Sequence, residues 1–271
     1  MPGTRPVFIV GDVHGHLEQL LRLLHNAGLV NNGRWSGADA QLWLMGDYVD
    51  RGPNGLEVIE LVMQLQHEAA AAGGSVGALL GNHELFLLAV QRFGEQPTSW
   101  GSTYRSDWLR NGGVVADLEG LTPKHIAWLS ELPGMTSIEE RLLIHADATF
   151  YEHYGRSVAD VNNSFQRILA SNDVDAWDQL IEDFCQRRAF THAHVRRVDP
   201  AAQFLATQFL NVFGGRQIIH GHTPIPGITK TAPEAITEPL IYASGLCVNV
   251  DGGIYQGGPG FVYQLPPLAN A

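Results

Sequence analysis

The segment Gly46-Asp47-Tyr48-Val49-Asp50-Arg51-Gly52 follows directly on the short apolar run Gln41–Met45. That run has the length of a β-strand, and its nearly uninterrupted apolar character is typical of a strand covered on both faces. The segment after it places two aspartates and one arginine between flanking glycines. In open α/β sheets, ligands bind in the crevice beyond the carboxyl ends of the strands. This stretch therefore predicts a strand and, at its end, a ligand site.

Other apolar runs end in the same way, on side chains that can bind metal ions. They are Val7–Val10 before Gly11-Asp12-Val13-His14-Gly15, Val76–Leu80 before Gly81-Asn82-His83-Glu84, Arg141–Ile144 before His145, and Arg216–Ile219 before His220-Gly221-His222. Leucines at helical spacing lie between the first two runs, and a second helix is predicted to begin at Pro53 and to stop at Gly73-Gly74. Strands that alternate with helices predict a layered α/β fold, with central β-sheets flanked by helices.

The remaining segments are expected to extend this framework. Residues 93–140 break the alternation and predict a mostly irregular and helical insertion, whose tryptophans are expected to pack, with lining of the substrate groove as the alternative. Ser157–Phe190 is predicted to be helical, and Cys247–Leu265, rich in glycine, valine and tyrosine, to form hairpin strands. His192 and His194 are expected at the surface. Because no repeat or linker interrupts the sequence, we predict a single domain over residues 1–271.

Composition and charge exclude several classes of protein. The balance of 17 basic and 28 acidic residues gives a net charge of −11, which opposes nucleic-acid binding. Neither lysine, Lys124 or Lys230, follows a glycine-rich phosphate loop, so a P-loop nucleotidase is excluded. No apolar run reaches the ~18–20 residues that span a bilayer, and no secretory signal is recognisable, so no membrane association is expected. Cys185 and Cys247 are too few for a disulfide scaffold and suit a cytoplasmic protein.

The donors at the predicted strand ends indicate a metal centre. Two aspartates, an asparagine and three or four histidines occur there without a thiolate, a set that suits Mn²⁺, Fe or Zn²⁺. These donors are too many for one ion and about enough for two, and two ions ~3.5–4 Å apart can clamp a phosphoryl group. Arg51 adds a planar fork that matches phosphate oxygens. The adjacent glycines are expected to allow sharp turns and to keep the site uncrowded.

The strings GDVHG, GDYVDRG and GNHE, followed by His145 and GHT, resemble the phosphoprotein phosphatase branch of the calcineurin-like metallophosphoesterases, and most of all its bacterial and bacteriophage members. The motifs run in family order from Asp12 to His222. The segment Asn31–Gly37 is also similar to the Shewanella-like bacterial phosphatases, which makes phosphotyrosine the first substrate to test. The resemblance implies the layered calcineurin-like fold, serine/threonine protein phosphatase activity and two divalent metal ions, Mn²⁺ before Fe or Zn²⁺.

The resemblance also implies roles for individual residues. The metal ligands would be Asp12, His14, Asp47, Asn82, His145 and His222. Among these, Asp47 would bridge the two ions. His83 would protonate the leaving oxygen, Asp50 would orient and charge that imidazole, and Arg51 would bind the phosphate. The family has a second phosphate-binding arginine, for which Arg187 fits best and Arg188 is the alternative.

The sequence departs from the family pattern in the last motifs. The family often has His-Gly-Gly where this chain has His145-Ala146-Asp147, so a carboxylate is expected near the substrate edge, where it would repel acidic peptides. The tryptophan that usually precedes the second arginine is absent. The sixth ligand of the family matches His222 rather than His220.

Three hypotheses for function follow. The first is a dinuclear-metal phosphatase that hydrolyses phosphomonoesters of proteins, on serine, threonine or tyrosine, by attack of metal-bound hydroxide. The alternative within the same chemistry is a dinucleoside-tetraphosphate hydrolase, although two lysines offer few cations for a polyphosphate. A catalytically silent binding module is the third hypothesis, and a metal-dependent assay with p-nitrophenyl phosphate separates it from both enzymes.

Overall fold

Two β-sheets face each other at the centre of the structure, a computed structural model that describes residues 5–191 and 199–267. The strands are β1 (Val7–Val10), β2 (Val30–Asn31), β3 (Arg34–Trp35), β4 (Gln41–Leu44), β5 (Ser75–Ala78), β6 (Met135–Ile138), β7 (Arg141–Ile144), β8 (Gln217–His220), β9 (Leu240–Tyr242), β10 (Cys247–Asn249) and β11 (Val262–Gln264). One sheet has the order β11-β1-β4-β5 and the other β6-β7-β8-β10-β9, while β2 pairs with β3 alone. Strands β1, β4 and β5 are parallel, as are β7, β8 and β10, so their carboxyl ends gather at one edge of each sheet.

Alternate residues of the strands face two different cores. Val7 and Ile9 of β1 pack between the sheets, together with Leu143 of β7 and Ile219 of β8. Intervening residues such as Val10 face outward and belong to the core beneath the helices. Both faces of these strands are therefore covered, which confirms what the uninterrupted apolar runs predict.

Helices cover the outer faces of the sheets. They are α1 (Leu17–Asn26), α2 (Gly55–Ala71), α3 (Asn82–Phe93), α4 (Tyr104–Arg110), α5 (Val115–Gly120), α6 (Pro123–Glu131), α7 (Val158–Ala170), α8 (Val174–Phe184), α9 (Pro200–Phe213) and α10 (Ile225–Thr229). Helix α2 packs against β5, α7 against β6 and α9 against β8. The predicted layered α/β class is confirmed. In the part of the chain that the structure describes, no helix has the length and apolar character needed to cross a membrane.

The predicted insertion over residues 93–140 is only partly irregular and helical. Helices α4, α5 and α6 lie in it, but its last residues form β6, which makes an antiparallel hairpin with β7. Strand β6 was not predicted, because threonine and serine occupy its centre and Met135–Ile138 is therefore not an apolar run. The turn at Glu139 and Glu140, both with positive φ, joins the two strands.

The predicted hairpin over Cys247–Leu265 is wrong. Strand β10 lies in one sheet beside β8, whereas β11 lies in the other sheet, antiparallel to β1. The glycine-rich connection therefore carries the chain from one sheet to the other.

The predicted helix Ser157–Phe190 is two helices, α7 and α8, and Asp173 caps the second. Pro53 lies before the N-cap of α2, and His192 and His194 lie outside the described residues.

Candidate metal centre

The carboxyl ends of both sheets meet at one buried polar cluster. Its side chains come from the turns directly after β1, β4, β5, β7 and β8. All predicted metal ligands lie in it and are at most 5% exposed: Asp12, His14, Asp47, Asn82, His145 and His222. The first four follow strands of one sheet and the last two follow strands of the other. The topology thus brings together the residues that sequence reasoning selected.

Asp47 lies in the middle of this cluster, with its carboxylate oxygens directed to opposite sides. Its Oδ2 is 3.5 Å from His14 Nε2, and its Oδ1 is 3.4 Å from His145 Nε2. Two groups of potential ligands share this carboxylate, one with His14 and His83 and the other with His145 and His222. A carboxylate between two ligand groups has the geometry of a bridging ligand.

Asn82 joins His145 and His222 on one side of Asp47. Asn82 Oδ1 is 3.1 Å from His145 Nε2 and 2.9 Å from His222 Nδ1. His145 Nδ1 donates to the backbone carbonyl of Met45 at 2.7 Å, which leaves the Nε2 lone pair facing the cluster. His222 Nε2 is buried and has no hydrogen-bond partner among the described residues.

Asp12 lies on the other side, next to a carboxylate that sequence reasoning missed. The backbone N–H of His222 donates to both oxygens of Asp12 at 3.0 Å. Burial, followed by the negative charges of Asp251 and Asp47, raises the pKa of Asp12. Burial also raises the pKa of Asp251 to about 7, and its Oδ2 lacks a partner in the described structure. The sequence could have indicated Asp251 as a site residue, because it follows β10, another strand whose carboxyl end lies at this edge of the sheets.

His83 and Asp50 form a buried pair beside the cluster. His83 Nδ1 donates to Asp50 Oδ2 at 2.7 Å, and Trp108 Nε1 donates to Asp50 Oδ1 at 2.9 Å. The two hydrogen bonds fix the orientation of the Asp50 carboxylate, and this carboxylate orients the His83 ring. Because Asp50 contacts Nδ1, the Nε2 atom of His83 faces away from Asp50. Trp108 belongs to α4 in the predicted insertion, so a tryptophan of that insertion supports the site by holding Asp50.

Arg51 is the exposed cation of the site. Its Nη1 donates to His14 Nε2 and its Nη2 to His83 Nε2, both at 3.0 Å. Its Cζ lies 4.0 Å from the centre of the Tyr255 ring, within the range of a cation–π contact. The guanidinium is thus held in place, and each of its two terminal nitrogens keeps a second N–H that can donate to a phosphoryl oxygen. Nothing in the glycine-rich sequence around Tyr255 identified it.

Backbone strain is concentrated in the turns that carry the site. Residues with φ between 47° and 66° include His14, Asp47, Asp50, Arg51 and His222. Such left-handed conformations cost non-glycine residues about 1–3 kcal/mol each and persist only where surrounding contacts enforce them. The buried Glu84 carboxylate supplies such contacts, because it accepts the backbone N–H groups of Asp47, Tyr48 and Val49 at 2.7–3.3 Å.

Glycines keep the ligand carboxylates uncrowded. A Cβ on Gly81 would lie 2.3 Å from Asp47 Oδ1, and a Cβ on Gly221 would lie 2.2 Å from Asp12 Oδ1. Both distances are far below van der Waals contact, so any side chain there would displace a predicted ligand. The expected role of these glycines is confirmed.

Burial keeps the histidines of the cluster neutral. It lowers the pKa of His14 and His222 well below the ordinary 6.5 and also lowers the pKa of His145. Burial alone would raise the pKa of Asp47, but the positive charge that the surrounding imidazoles carry when protonated, that of His145 first, outweighs burial and lowers it. At neutral pH the cluster therefore presents unprotonated imidazoles and an ionised carboxylate, the forms that bind metal ions.

These residues fit a pair of divalent metal ions. The donors are nitrogen and oxygen without sulfur, Asp47 faces two ligand groups, and His222 Nε2 is buried without a partner within the described chain. When bound, two such ions activate water and neutralise charge on a phosphoryl group. The donor types suit Mn²⁺, Fe and Zn²⁺ alike.

The other predicted site residues are less close to the cluster. Arg187 is exposed, and its positive charge contributes, after burial, to the low pKa of His145 and His222, so it lies within electrostatic reach. Arg188 is exposed as well and has positive φ. His220 Nε2 lies 2.7 Å from the hydroxyl of Tyr242, which engages that nitrogen outside the ligand groups.

Asp147 does not face the substrate. It is fully buried, and its Oδ1 accepts a hydrogen bond from Thr223 Oγ1 at 2.5 Å. Its backbone carbonyl accepts from the N–H of Ala189. The expectation of a carboxylate at the substrate edge that repels acidic peptides is therefore wrong. Asp147 instead ties the turn after β7 to the turn after β8.

A family model described as calcineurin-like phosphoesterase matches residues 5–226, which include every predicted metal ligand. This chain belongs to the calcineurin-like phosphoesterase family. The symmetrical bis(5'-nucleosyl)-tetraphosphatase of Vibrio parahaemolyticus is 29% identical over 202 residues, which cover 70% of this chain and 66% of that protein. The enzyme of the same name from Neisseria gonorrhoeae is 30% identical over 200 residues, or 70% and 64% of the two chains. The matches thus span slightly less than two thirds of these relatives.

Solved phosphatase structures share the fold. The cold-active protein-tyrosine phosphatase of a psychrophilic Shewanella species matches with a TM-score of 0.68 and 24% identity over 97% of this chain and 76% of that chain. A protein serine/threonine phosphatase from Saccharomyces cerevisiae matches with a TM-score of 0.56 and 16% identity over 95% and 71%. At these identities the likeness concerns architecture. It confirms the calcineurin-like fold, and the protein phosphatase branch stays a prediction.

Proposed function

We propose that this protein is a metal-dependent hydrolase of dinucleoside tetraphosphates. The observation that carries the proposal is the position of Asp47, whose carboxylate oxygens lie 3.5 Å from His14 and 3.4 Å from His145. A carboxylate between two ligand groups suits two adjacent metal ions, and such sites stabilise the attacking and leaving oxygens of an in-line displacement at phosphorus. The ions would be held by Asp12 and His14 on one side, by Asn82, His145 and His222 on the other, and by Asp47 between them.

The residues around these ligands bind the phosphoryl group and supply the proton. Arg51 binds phosphoryl oxygens, because its side chain is exposed and its terminal nitrogens keep N–H groups beyond those that contact His14 and His83. His83 donates a proton from Nε2 to the leaving oxygen, since Asp50 already engages Nδ1. Asp50 stabilises the charged imidazole before the proton leaves, and Trp108 keeps that carboxylate in place.

The substrate class rests on the relatives and on the removal of one objection, the scarcity of cations for a polyphosphate. The curated relatives from Vibrio and Neisseria are named for bis(5'-nucleosyl) tetraphosphates. The scarcity of lysine is offset by arginine, because Arg51 lies in the site and Arg187 is within electrostatic reach of it.

A phosphoprotein is the second candidate substrate. The sequence Tyr48-Val49-Asp50-Arg51 is close to the corresponding motif of protein phosphatases. The His83–Asp50 pair also suits it, because general acid catalysis helps most when the leaving group is a poorly stabilised alkoxide. Peptides with phosphoserine, phosphothreonine or phosphotyrosine test this candidate, phosphotyrosine first.

One substrate panel decides between the candidates. We expect kcat/KM for diadenosine tetraphosphate to exceed that for the best of the three phosphopeptides at least tenfold, under identical Mn²⁺ loading. Tenfold corresponds to about 1.4 kcal/mol of transition-state binding. The Asp47→Asn variant, prepared in parallel, should lose most of the activity and exposes any contaminating phosphatase. A peptide tenfold better than the dinucleotide would overturn the substrate assignment and favour the phosphoprotein.

A further inference from the structure

A cleft of about 450 Å³ opens beside the phosphate-binding end of the site. Its walls are the start of α1, the turn before α2 and the turn Ile254–Gly258. Tyr255 lines this cleft and at the same time lies beneath the guanidinium of Arg51, 4.0 Å from Cζ. Through Tyr255, the cleft therefore adjoins the arginine that would hold a phosphoryl group.

The lining of the cleft combines apolar surface with hydrogen-bonding side chains. Leu17, Pro53 and Ile254 supply the apolar part. The polar part consists of His16, Glu18, Gln19, Arg22 and Asn54. The Gln19 amide nitrogen donates to the backbone carbonyl of Pro259, and its oxygen accepts from the Arg22 guanidinium. Gln19 thereby fixes the position of Arg22 on the cleft side of α1.

We infer that this cleft binds the nucleoside 5'-diphosphate half of the substrate that leaves on hydrolysis, an inference that rests on the proposed function. A flat base fits the apolar wall of the cleft, the Glu18 carboxylate accepts hydrogen bonds from ribose hydroxyls, and Arg22 binds a phosphate of this half. A volume of about 450 Å³ lies within the range of roughly 300–1,000 Å³ of small-ligand sites.

A peptide fits this cleft less well. Extended peptides bind by adding a strand to a free sheet edge or by lying along a groove. Here the walls are one helix and two turns, and the nearby strand β1 is already paired on both sides, with β4 and with β11. The backbone thus offers a peptide no strand to pair with.

The test removes the cation that would touch only the longer substrate. In the Mn²⁺-loaded protein, Arg22→Ala should lower the ratio of kcat/KM for diadenosine tetraphosphate to kcat/KM for p-nitrophenyl phosphate about tenfold, because p-nitrophenyl phosphate carries no second phosphate. Arg156→Ala is the matched control, since Arg156 is an exposed arginine that pairs with Glu152 outside the cleft and the site. This control should leave the ratio unchanged.

Calorimetric titration with ADP separates this inference from the proposed function. We expect ADP to bind the Mn²⁺-loaded wild type and to bind Arg22→Ala about tenfold more weakly, whether or not the wild type prefers the dinucleotide. If ADP binds both proteins equally, or binds neither, the cleft is not a nucleotide site. If ADP binding depends on Arg22 while phosphopeptides are the better substrates, the substrate assignment fails and the nucleotide site stands.

Discussion

His83 contacts two groups that affect its proton in opposite ways. Asp50 accepts the Nδ1 proton at 2.7 Å, whereas Arg51 lies 3.0 Å from Nε2, on the side where a proton for the leaving oxygen has to lie. A phosphoryl group that draws Arg51 onto its own oxygens would leave Asp50 as the dominant partner. The ring would then carry a transferable proton on Nε2 when the leaving oxygen needs it.

We therefore predict that His83→Asn keeps its metal ions and loses turnover. The rate constant kcat for an alkyl phosphate should fall roughly 10²–10⁴-fold, the usual contribution of general acid catalysis. The loss should be smaller for p-nitrophenyl phosphate, whose leaving group hardly needs a proton. Elemental analysis of the purified variant checks the first part. Loss of a metal ion in His83→Asn would make His83 a ligand, as its place in a ligand group with His14 and Asp47 allows.

At the scale of residues, sequence could predict donors but not their supports. Asp12, Asp47 and His145 were recognisable because each directly follows an apolar run, and parallel strands bring such positions to one edge. Trp108 and Tyr255 carry no such signal. Their contacts with Asp50 and Arg51 arise from the packing of α4 and of a late turn, which a single sequence does not reveal.

At the scale of elements, buried hydrogen bonds hold together the turns after β7 and β8. Asp147 Oδ1 accepts from Thr223 Oγ1 at 2.5 Å, and these residues flank His145 and His222. Asn249 adds a second tie, because its Nδ2 donates to the backbone carbonyl of Thr223 at 2.7 Å. Buried hydrogen bonds thus join the two turns that carry the predicted histidine ligands.

The prediction for this tie is a loss of metal affinity in Asp147→Ala. Residues that orient metal ligands typically contribute about 10–100-fold to affinity, and we expect Mn²⁺ to bind this variant that much more weakly at one of two sites. Asp147→Asn is the matched control, because its amide oxygen still accepts from Thr223 and should preserve most of the affinity. Equal Mn²⁺ titrations for wild type and Asp147→Ala would show that the turns hold their spacing without this tie.

Whole strands were predictable where an apolar run had the length of a strand. Strands β1 and β7 have the predicted bounds, because nothing but apolar side chains or a buried arginine fills them. Strand β6 and the break between α7 and α8 were missed, since two adjacent polar residues and a capping Asp173 act over too few positions to change a pattern. The placement of β10 and β11 in different sheets depends on long-range pairing, which local sequence does not encode.

At the scale of the molecule, the metal centre lies where two sheets meet. Asp12, Asp47 and Asn82 follow strands of one sheet, and His145 and His222 follow strands of the other. Between the sheets there is a separate apolar core, so the sheets are joined by packing along their length and by polar contacts at one end. Ions held between the two ligand groups would therefore link the two sheets.

This arrangement predicts that metal removal destabilises the protein and loosens one end of it. A ligand present at 100 times its Kd stabilises the folded state by about 2.7 kcal/mol, which for a chain of this size raises Tm by roughly 5–10 °C. EDTA should lower Tm of the Mn²⁺-loaded protein by that amount, and hydrogen exchange should increase first in the turns after β4 and β8 rather than in α2. Asp47→Asn is the control, because a variant without the shared carboxylate should lose little further stability in EDTA. An identical Tm with and without EDTA in the wild type, at full metal occupancy by elemental analysis, would show that the apolar core alone joins the two sheets.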